Sequence, residues 1–117
     1  ENPHNVNIPK VLKNEKNELV YMSRNALPGC KEFKNSPTEY WKQVCIYAFN
    51  LEELKLFRSF GRKSFIESYE DIEILRFLEL EKTILMVETE NESLAVDSPG
   101  DIEAVENALR KINKSSI

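Results

Sequence analysis

The chain has 117 residues, of which 41% are hydrophobic and 31% are charged, and its formal net charge is −4 at pH 7. This length predicts one domain with a modest core, and an acidic balance without a Lys/Arg cluster argues against nucleic acid or an anionic membrane as the main partner. No apolar run approaches the ~20 residues that a transmembrane helix needs. The polar opening stretch, ENPHNVNIPK, has no signal-peptide core.

Cysteine, histidine and glycine are scarce in this chain. Cys30 and Cys45 are the only cysteines, and His4 is the only histidine. Two unclustered cysteines favour the free thiols of a cytoplasmic protein over a disulfide. A zinc site would need more soft ligands, and neither cysteine has a histidine placed to activate it. With three glycines, the chain also lacks a Gly-rich phosphate loop.

The first third of the chain predicts a β-hairpin and a long loop. Residues 6–12 can be extended, although Pro9 limits them to an edge or a bulge. Residues 19–22 (LVYM) indicate the returning strand. Residues 23–38 predict a loop, and a loop of this length in a compact domain is usually functional or held by a partner.

The middle of the chain predicts a strand followed by a helix. Residues 43–49 (QVCIYAF) combine β-branched and aromatic side chains in a short apolar run, which is typical of a buried strand. Asn50 predicts the N-cap of the next helix, Glu53 completes a capping box, and Gly61 predicts the end of that helix.

Residues 67–80 (ESYEDIEILRFLEL) predict the central helix of the fold. Apolar residues recur there every three or four positions and so share one helix face, and further apolar residues indicate a second covered side. Glu70 and Glu73 lie on the same helix. Each is either solvated, paired with Arg76 at helical spacing, or part of a functional site.

The last third predicts a strand, a polar turn and a terminal helix. Residues 83–87 (TILMV) are typical of a strand, and residues 89–93 of a turn. Ser98 predicts the helix N-cap, Pro99 the first helical position, and Asp101 an acid in the positive first turn. The order of elements is hairpin, loop, strand, helix, helix, strand and helix. It predicts an α/β fold in which helices cover a mixed sheet. The terminal helix has an apolar stripe made of Ile102, Val105, Leu109 and Ile112.

Four segments in this order resemble one enzyme family. They are YMSR at 21–24, KQVCIYAF at 42–49, EDIEILRFLE at 70–79 and LAVDSPGDIEAVE at 94–106. Together they are similar to the C-terminal half of the CMP-sugar synthetases, and most of all to the 3-deoxy-manno-octulosonate cytidylyltransferases, or CMP-Kdo synthetases. The resemblance covers residues 5–109.

The resemblance implies a cytoplasmic nucleotidyltransferase that transfers CMP from CTP to an acidic eight-carbon sugar and releases pyrophosphate, for lipopolysaccharide synthesis. It implies a nucleotide-diphospho-sugar-transferase-like (Rossmann-like) mixed sheet with covering helices. Residues 1–117 would then be one domain, the sugar-binding and dimer-forming half, without the CTP-binding half. The chain also lacks an initiator methionine, so we expect a piece of a longer protein that does not turn over CTP alone. Candidate contacts of the homodimer are Leu19, Tyr21, Met22 and Trp41.

The resemblance also implies roles for individual residues. Asp97 would bind Mg²⁺, which prefers hard oxygen ligands and shares them with phosphate and water. Glu73 would accept hydrogen bonds from sugar hydroxyl groups, and Tyr47 would contact the sugar from its strand. Arg24 would bind the sugar carboxylate or the partner subunit. From the residues alone, Asp97 could serve the helix dipole, Tyr47 the core, and Arg24 the solvated surface.

Two positions depart from the family pattern. Gln43 stands where the family often has histidine, and Ile74 stands where it has glutamine. Gln43 can still hydrogen-bond in the sugar site, whereas Ile74 cannot, so a related eight- or nine-carbon acid sugar stays open. A CMP-sialic-acid-type synthetase and a non-catalytic interaction domain with the same fold are the alternatives.

Overall fold

The chain starts with a three-stranded antiparallel sheet in the computed structural model, which describes residues 2–90 and 94–115. Strands β1 (Lys10–Lys13) and β2 (Leu19–Ser23) are neighbours, and β3 (Trp41–Lys42) pairs with the other side of β1. The predicted hairpin is therefore confirmed, although its first strand is shorter than the sequence indicated.

The segment between β2 and the first helix is mostly irregular. The predicted loop is present and holds a 3-10 helix at Phe33–Asn35. The buried strand predicted at 43–49 is wrong, because its side chains are half-buried or exposed and no described strand pairs with it. Cys45 even has a positive φ of 61°. Apolar β-branched residues favour an extended backbone, but burial needs a neighbouring strand. Among the described residues, this segment is joined to the chain before β1 by one backbone hydrogen bond, from the Gln43 N–H to Pro9 O at 3.0 Å.

The strand predicted at 83–87 exists only as local pairing with the hairpin. Leu85 forms an isolated antiparallel bridge with Glu18, and the Met86 N–H donates to Asn17 O at 2.7 Å. Leu85 is exposed, whereas Met86 is half-buried against the core. The extended backbone is thus correct, but a regular strand over the whole segment is not.

The first helix, α1, spans Leu51–Phe60. The Asn50 side chain accepts a hydrogen bond from the Glu53 N–H (2.9 Å), and the Glu53 carboxylate accepts one from the Asn50 N–H (2.7 Å). Gly61 ends the helix in the left-handed conformation, with φ of 70°. The predicted N-cap, capping box and helix end are all confirmed.

The single central helix predicted from the sequence is wrong, because the chain forms two short helices there. Helix α2 spans Phe65–Glu70 and α3 spans Leu75–Glu79, and Asp71 between them is left-handed with φ of 52°. In one continuous helix, Ile72 and Ile74 would point about 200° apart. The break lets both side chains pack into the same core, where both are buried.

The core of the first compact unit, Glu1–Val87, joins the hairpin to the two short helices. Its buried apolar side chains are Val11, Leu19, Met22, Ile72, Ile74, Leu75 and Phe77. The expectation that Leu19 and Met22 contact a partner subunit is wrong, because both lie inside this core. Of the other two predicted contacts, Tyr21 is half-buried and Trp41 is exposed.

The second compact unit, Glu88–Ile117, is described by itself and contains helix α4, Asp101–Ser115. The helix begins two residues later than predicted. The carboxylate of Asp101 accepts hydrogen bonds from the N–H and the hydroxyl of Ser98, both at 2.8 Å, and so closes the turn before the helix. The predicted apolar stripe of α4 is half-buried or exposed. The turn predicted at 89–93 reaches residues outside those described.

The structure bears on the predicted fold class and on the predicted state of the cysteines. A small sheet with helices packed on it confirms the α/β class. The sheet that the described residues form is antiparallel, whereas the sequence predicted a mixed one. Within residues 2–90 and 94–115, no helix is long and apolar enough to cross a membrane. Cys30 and Cys45 are both free, as predicted, and both are exposed.

Candidate functional site

Glu70 is the centre of a hydrogen-bond network at the end of β2. One carboxylate oxygen accepts from the Ser23 hydroxyl (2.6 Å) and the Tyr21 hydroxyl (3.0 Å), and the other accepts from the Arg24 N–H (2.8 Å). Burial alone would raise the pKa of Glu70, but these donors outweigh burial and lower that pKa. The two roles predicted for Glu70, solvated or paired with Arg76, are therefore both wrong.

Arg24 binds the end of helix α2 in return. Its guanidinium donates to Glu70 O (2.5 Å), to Asp71 O (3.1 Å) and to Val6 O (2.9 Å). The last carbonyl groups of a helix lack partners within the helix and carry partial negative charge, so a cation there is favourable. The role predicted for Arg24 toward a sugar carboxylate or a partner subunit stays a prediction.

Arg76 pairs with Glu67, which the sequence did not indicate. Two hydrogen bonds of 2.7 Å join the guanidinium to the carboxylate, and the guanidinium carbon lies 3.7 Å from the centre of the Phe57 ring. Hydrogen bonding to Arg76 lowers the pKa of Glu67, and the same bonds raise the pKa of Arg76. This buried pair connects α2 to α3 across the break.

Glu73 and Tyr47 lie in the same region of the first unit. Glu73 sits in the break between α2 and α3 with its side chain exposed, while Ile72 and Ile74 on either side are buried. Burial of the Tyr47 side chain, together with negative charge at Cys45 and Glu73, raises the pKa of Tyr47 to about 12. The predicted sugar-site tyrosine thus lies near enough to the predicted sugar-site glutamate to be affected by its charge.

Gln43 has hydrogen-bonding capacity left over near Tyr47. Its side-chain amide donates to Cys45 Sγ at 2.9 Å, while its Oε1 is buried and accepts no hydrogen bond from the described residues. A buried acceptor without a donor is unfavourable, and a ligand hydroxyl would satisfy it. Ile74, by contrast, is 5% exposed and packs in the core, so it does not line this surface.

Asp97 lies in the second unit, on the chain leading into α4. Its N–H donates to the Asp101 carboxylate at 3.1 Å, and the residue is exposed. Its carboxylate is a hard oxygen donor of the kind that Mg²⁺ prefers, and one protein carboxylate suffices when phosphate and water complete the octahedron. No group of three or more His, Cys, Asp or Glu side chains that could hold a metal exists among the described residues.

Two sets of contacts that the sequence did not predict, those of Arg76 and those of Arg24, depend on the break in the central helix. Glu67 and Arg76 are nine residues apart, a spacing that brings no two side chains together in one continuous helix. Arg24 binds carbonyl groups more than 40 residues further along the chain. The capping-box sequence pattern at Ser64 and Glu67 was the one available signal, since it marks a new helix start close to the predicted centre. In the structure the Glu67 carboxylate accepts a hydrogen bond from the Ser64 N–H at 2.9 Å.

The chain is similar to known cytidylyltransferases along almost its whole length. It is 37% identical to the 3-deoxy-manno-octulosonate cytidylyltransferase of Flavobacterium johnsoniae over 111 residues, which are 95% of this chain and 43% of that protein. For the protein of the same name from Christiangramia forsetii the identity is 35% over 108 residues, or 92% of this chain and 42% of the relative. The chain therefore spans less than half the length of these relatives. No family model matches it.

A solved structure supports the same relationship at the level of the fold. The structure of CMP:2-keto-3-deoxy-manno-octonic acid synthetase complexed with CTP superposes with a TM-score of 0.74 at 25% sequence identity. The match covers 93% of this chain and 44% of that protein. The likeness thus extends over both compact units and, again, over less than half of the neighbour.

Proposed function

We propose that this chain, which belongs to the 3-deoxy-manno-octulosonate cytidylyltransferase family, forms the sugar-binding part of an enzyme that makes CMP-Kdo or a closely related CMP-sugar. In this reaction, the anomeric hydroxyl of the acidic sugar attacks the α-phosphorus of CTP. A new bond forms between the sugar oxygen and the α-phosphorus, and the bond between the α-phosphorus and the oxygen that bridges it to the β-phosphorus breaks. Pyrophosphate leaves, and the hydroxyl proton passes to the solvent. The observation that carries the proposal is the match to these cytidylyltransferases over 95% of the chain.

The residues of the first unit support a sugar-binding role. Glu73 offers an exposed carboxylate, and carboxylates accept hydrogen bonds from two or more hydroxyl groups. Tyr47, 43% exposed, offers an aromatic face, and the charge of Glu73 contributes to its raised pKa. Gln43 adds the buried oxygen that lacks a donor. Sugar hydroxyl groups are ligands that such acceptors and an aromatic ring can bind.

The metal and the assembly belong to the proposal as well. Asp97 would hold Mg²⁺, which when bound would offset the charge that accumulates on the phosphates. Exposed free thiols at Cys30 and Cys45 suit the reducing cytoplasm. Exposed apolar side chains such as Ile46 and Phe65 are available to pack against a second copy in a homodimer or against the part of the protein that this chain does not span. The contacts of the homodimer lie elsewhere than at Leu19 and Met22.

The proposal is tested by supplying CTP, Mg²⁺ and Kdo to the full natural protein that carries this chain and assaying CMP-Kdo and pyrophosphate. We expect stoichiometric formation of both products, and none from the 117-residue chain alone, because it spans less than half of its relatives. CMP transfer to a nine-carbon acid sugar in preference to Kdo would favour a CMP-sialic-acid-type synthetase. Absence of any CMP-sugar from the full protein would favour an interaction domain.

A further inference from the structure

Glu73 lies in a turn that is held on both sides by charged groups. The turn covers the break between α2 and α3, where Asp71 has the left-handed conformation. On its α3 side the turn is held by backbone hydrogen bonds, since the N–H groups of Leu75 and Arg76 donate to Ile72 O (3.2 Å) and Glu73 O (3.1 Å). Where the chain leaves α2 at Asp71, side chains add further contacts.

Two side-chain connections also hold the turn. On the α2 side, Glu70 accepts three hydrogen bonds from residues at the end of β2, and Arg24 donates back to the carbonyl oxygens of Glu70 and Asp71. On the α3 side, the Glu67–Arg76 pair crosses the break. The first connection is the more specific one for the turn, because it binds the last two backbone groups before Ile72.

We infer that Glu70 is a positioning residue for Glu73: by fixing the turn to the end of β2, it presents the Glu73 carboxylate in one orientation. This inference rests on the proposed function, in which Glu73 binds the sugar. Glu70 itself is directed toward Tyr21, Ser23 and Arg24 and has no oxygen left without a donor. It acts through the backbone that leads to Glu73.

Fixing the turn in advance matters because an exposed carboxylate on a mobile turn would lose conformational freedom on binding. Small misplacements of a binding group can also cost up to about 100-fold in rate. Glu70→Gln disturbs the connection between β2 and α2 selectively. The amide nitrogen of glutamine is a donor, and it would face another donor where a carboxylate oxygen of Glu70 accepts a hydrogen bond. The negative charge that faces Arg24 is lost in the same substitution.

The test measures steady-state kinetics of the full natural protein with Kdo and CTP varied separately. For Glu70→Gln we expect the KM for Kdo to rise roughly tenfold, by the logic of a displaced binding group, while the KM for CTP stays within about twofold. In a Glu73→Gln background the same substitution should add no further rise, because Glu70 acts through Glu73. Glu52→Gln is the matched control, since it makes the same chemical change at an exposed ion pair with Lys55 on α1.

The outcomes separate this inference from the proposed function. If Glu73→Gln raises the KM for Kdo but Glu70→Gln does not, Glu70 is no positioning residue. If the two effects add in the double variant, or if Glu70→Gln weakens CTP and Kdo alike, its role is general stability and the inference is wrong. If Glu73→Gln itself leaves the KM for Kdo unchanged, the proposed sugar site is wrong.

A milder variant keeps the test decisive if Glu70→Gln does not fold. Tyr21→Phe removes one of the three donors to Glu70 and leaves the charge in place. We expect a smaller, about threefold rise in the KM for Kdo with the KM for CTP unchanged, in keeping with the loss of one hydrogen bond. An unchanged KM for Kdo in this folded variant would overturn the inference.

Discussion

The carboxylate of Glu67 and the guanidinium of Arg76 meet through two hydrogen bonds of 2.7 Å, and both side chains are almost fully buried. The pair joins two short helices that the sequence pattern presents as one. A buried ion pair contributes little net stability compared with apolar residues of the same volume. Removing one partner, however, leaves the other charge buried and unpaired, which is destabilising. Its main effect is to fix how α2 and α3 meet.

Arg76→Met should therefore destabilise the protein by about 3–5 kcal/mol, because Glu67 keeps its charge in a buried place without its cationic partner and retains the hydrogen bond from the Ser64 N–H. The contact with the Phe57 ring is lost as well. Urea denaturation of the full natural protein measures the change. The double variant Glu67→Leu/Arg76→Met should recover most of the loss. As a control, Lys55→Ala removes an exposed pair and should change stability by less than about 1 kcal/mol. A loss that small for Arg76→Met would contradict the pairing.

Glu67 and Glu70 should make stability fall in acid. Hydrogen bonding from Arg76 lowers the pKa of Glu67, and for Glu70 the hydrogen bonds from Ser23, Arg24 and Tyr21 outweigh burial. A carboxyl group whose folded-state pKa is depressed stabilises the fold above its unfolded value, here 4.5, and that stability is lost as the pH falls through the lower folded-state pKa.

The free energy of unfolding, measured from pH 7 down to pH 3, should accordingly decline below about pH 5. Glu70→Gln should show a shallower decline than the parent protein, since one of the two groups no longer titrates. Glu52→Gln is again the control, and its decline should match that of the parent. Equal slopes for Glu70→Gln and the parent would mean that Glu70 is not hydrogen-bonded as described.

Tyr47 should resist ionisation. Burial of its side chain, together with the charges of Cys45 and Glu73, raises the pKa of this phenol to about 12, against an ordinary value of 10.0. Difference absorbance between the parent and Tyr47→Phe isolates this one phenol and should show no tyrosinate at pH 10. In Glu73→Gln, the same phenol should ionise at lower pH because one negative neighbour is gone. An unchanged titration in that variant would separate Tyr47 from Glu73.

The parts of the fold that the sequence predicted depend on local chemistry. One helix starts at Asn50 and Glu53 and ends at Gly61 through contacts within a few residues. The structure confirms all three. The break at Asp71 was missed because periodicity assigns faces to residues without showing where the backbone leaves the helix. The strand predicted at 43–49 was wrong for a related reason: β-propensity favours an extended chain, but a partner strand decides whether it joins a sheet.

The candidate site shows the same division. Glu73, Tyr47 and Gln43 could be selected from the sequence through a family resemblance, and the charge of Glu73 contributes to the raised pKa of Tyr47. Their role in sugar binding stays a prediction. Glu70 was not selected from the sequence as a site residue. A helical pattern does not show that Ser23 and Arg24, more than 40 residues earlier in the chain, donate hydrogen bonds to it.

Asp97 should determine how activity depends on Mg²⁺. In the full natural protein, Asp97→Asn should lower turnover and weaken Mg²⁺ binding measured by calorimetry in the presence of CTP, because a neutral amide oxygen is a poorer ligand than a carboxylate. Glu106→Gln, in an exposed pair with Arg110 on α4, serves as the control. Normal kinetics and normal Mg²⁺ binding in Asp97→Asn would return this residue to a role at the start of α4.

The most direct test of the proposed function is the effect of Glu73→Gln on the two substrates of the full natural protein. Replacing an exposed carboxylate that accepts hydrogen bonds from sugar hydroxyl groups by an amide weakens hydrogen bonds to a charged group. The substitution should therefore raise the KM for Kdo roughly tenfold or more and leave the KM for CTP within about twofold. Equal KM values for Kdo in the parent and Glu73→Gln would contradict the assignment of this chain as the sugar-binding part of a cytidylyltransferase.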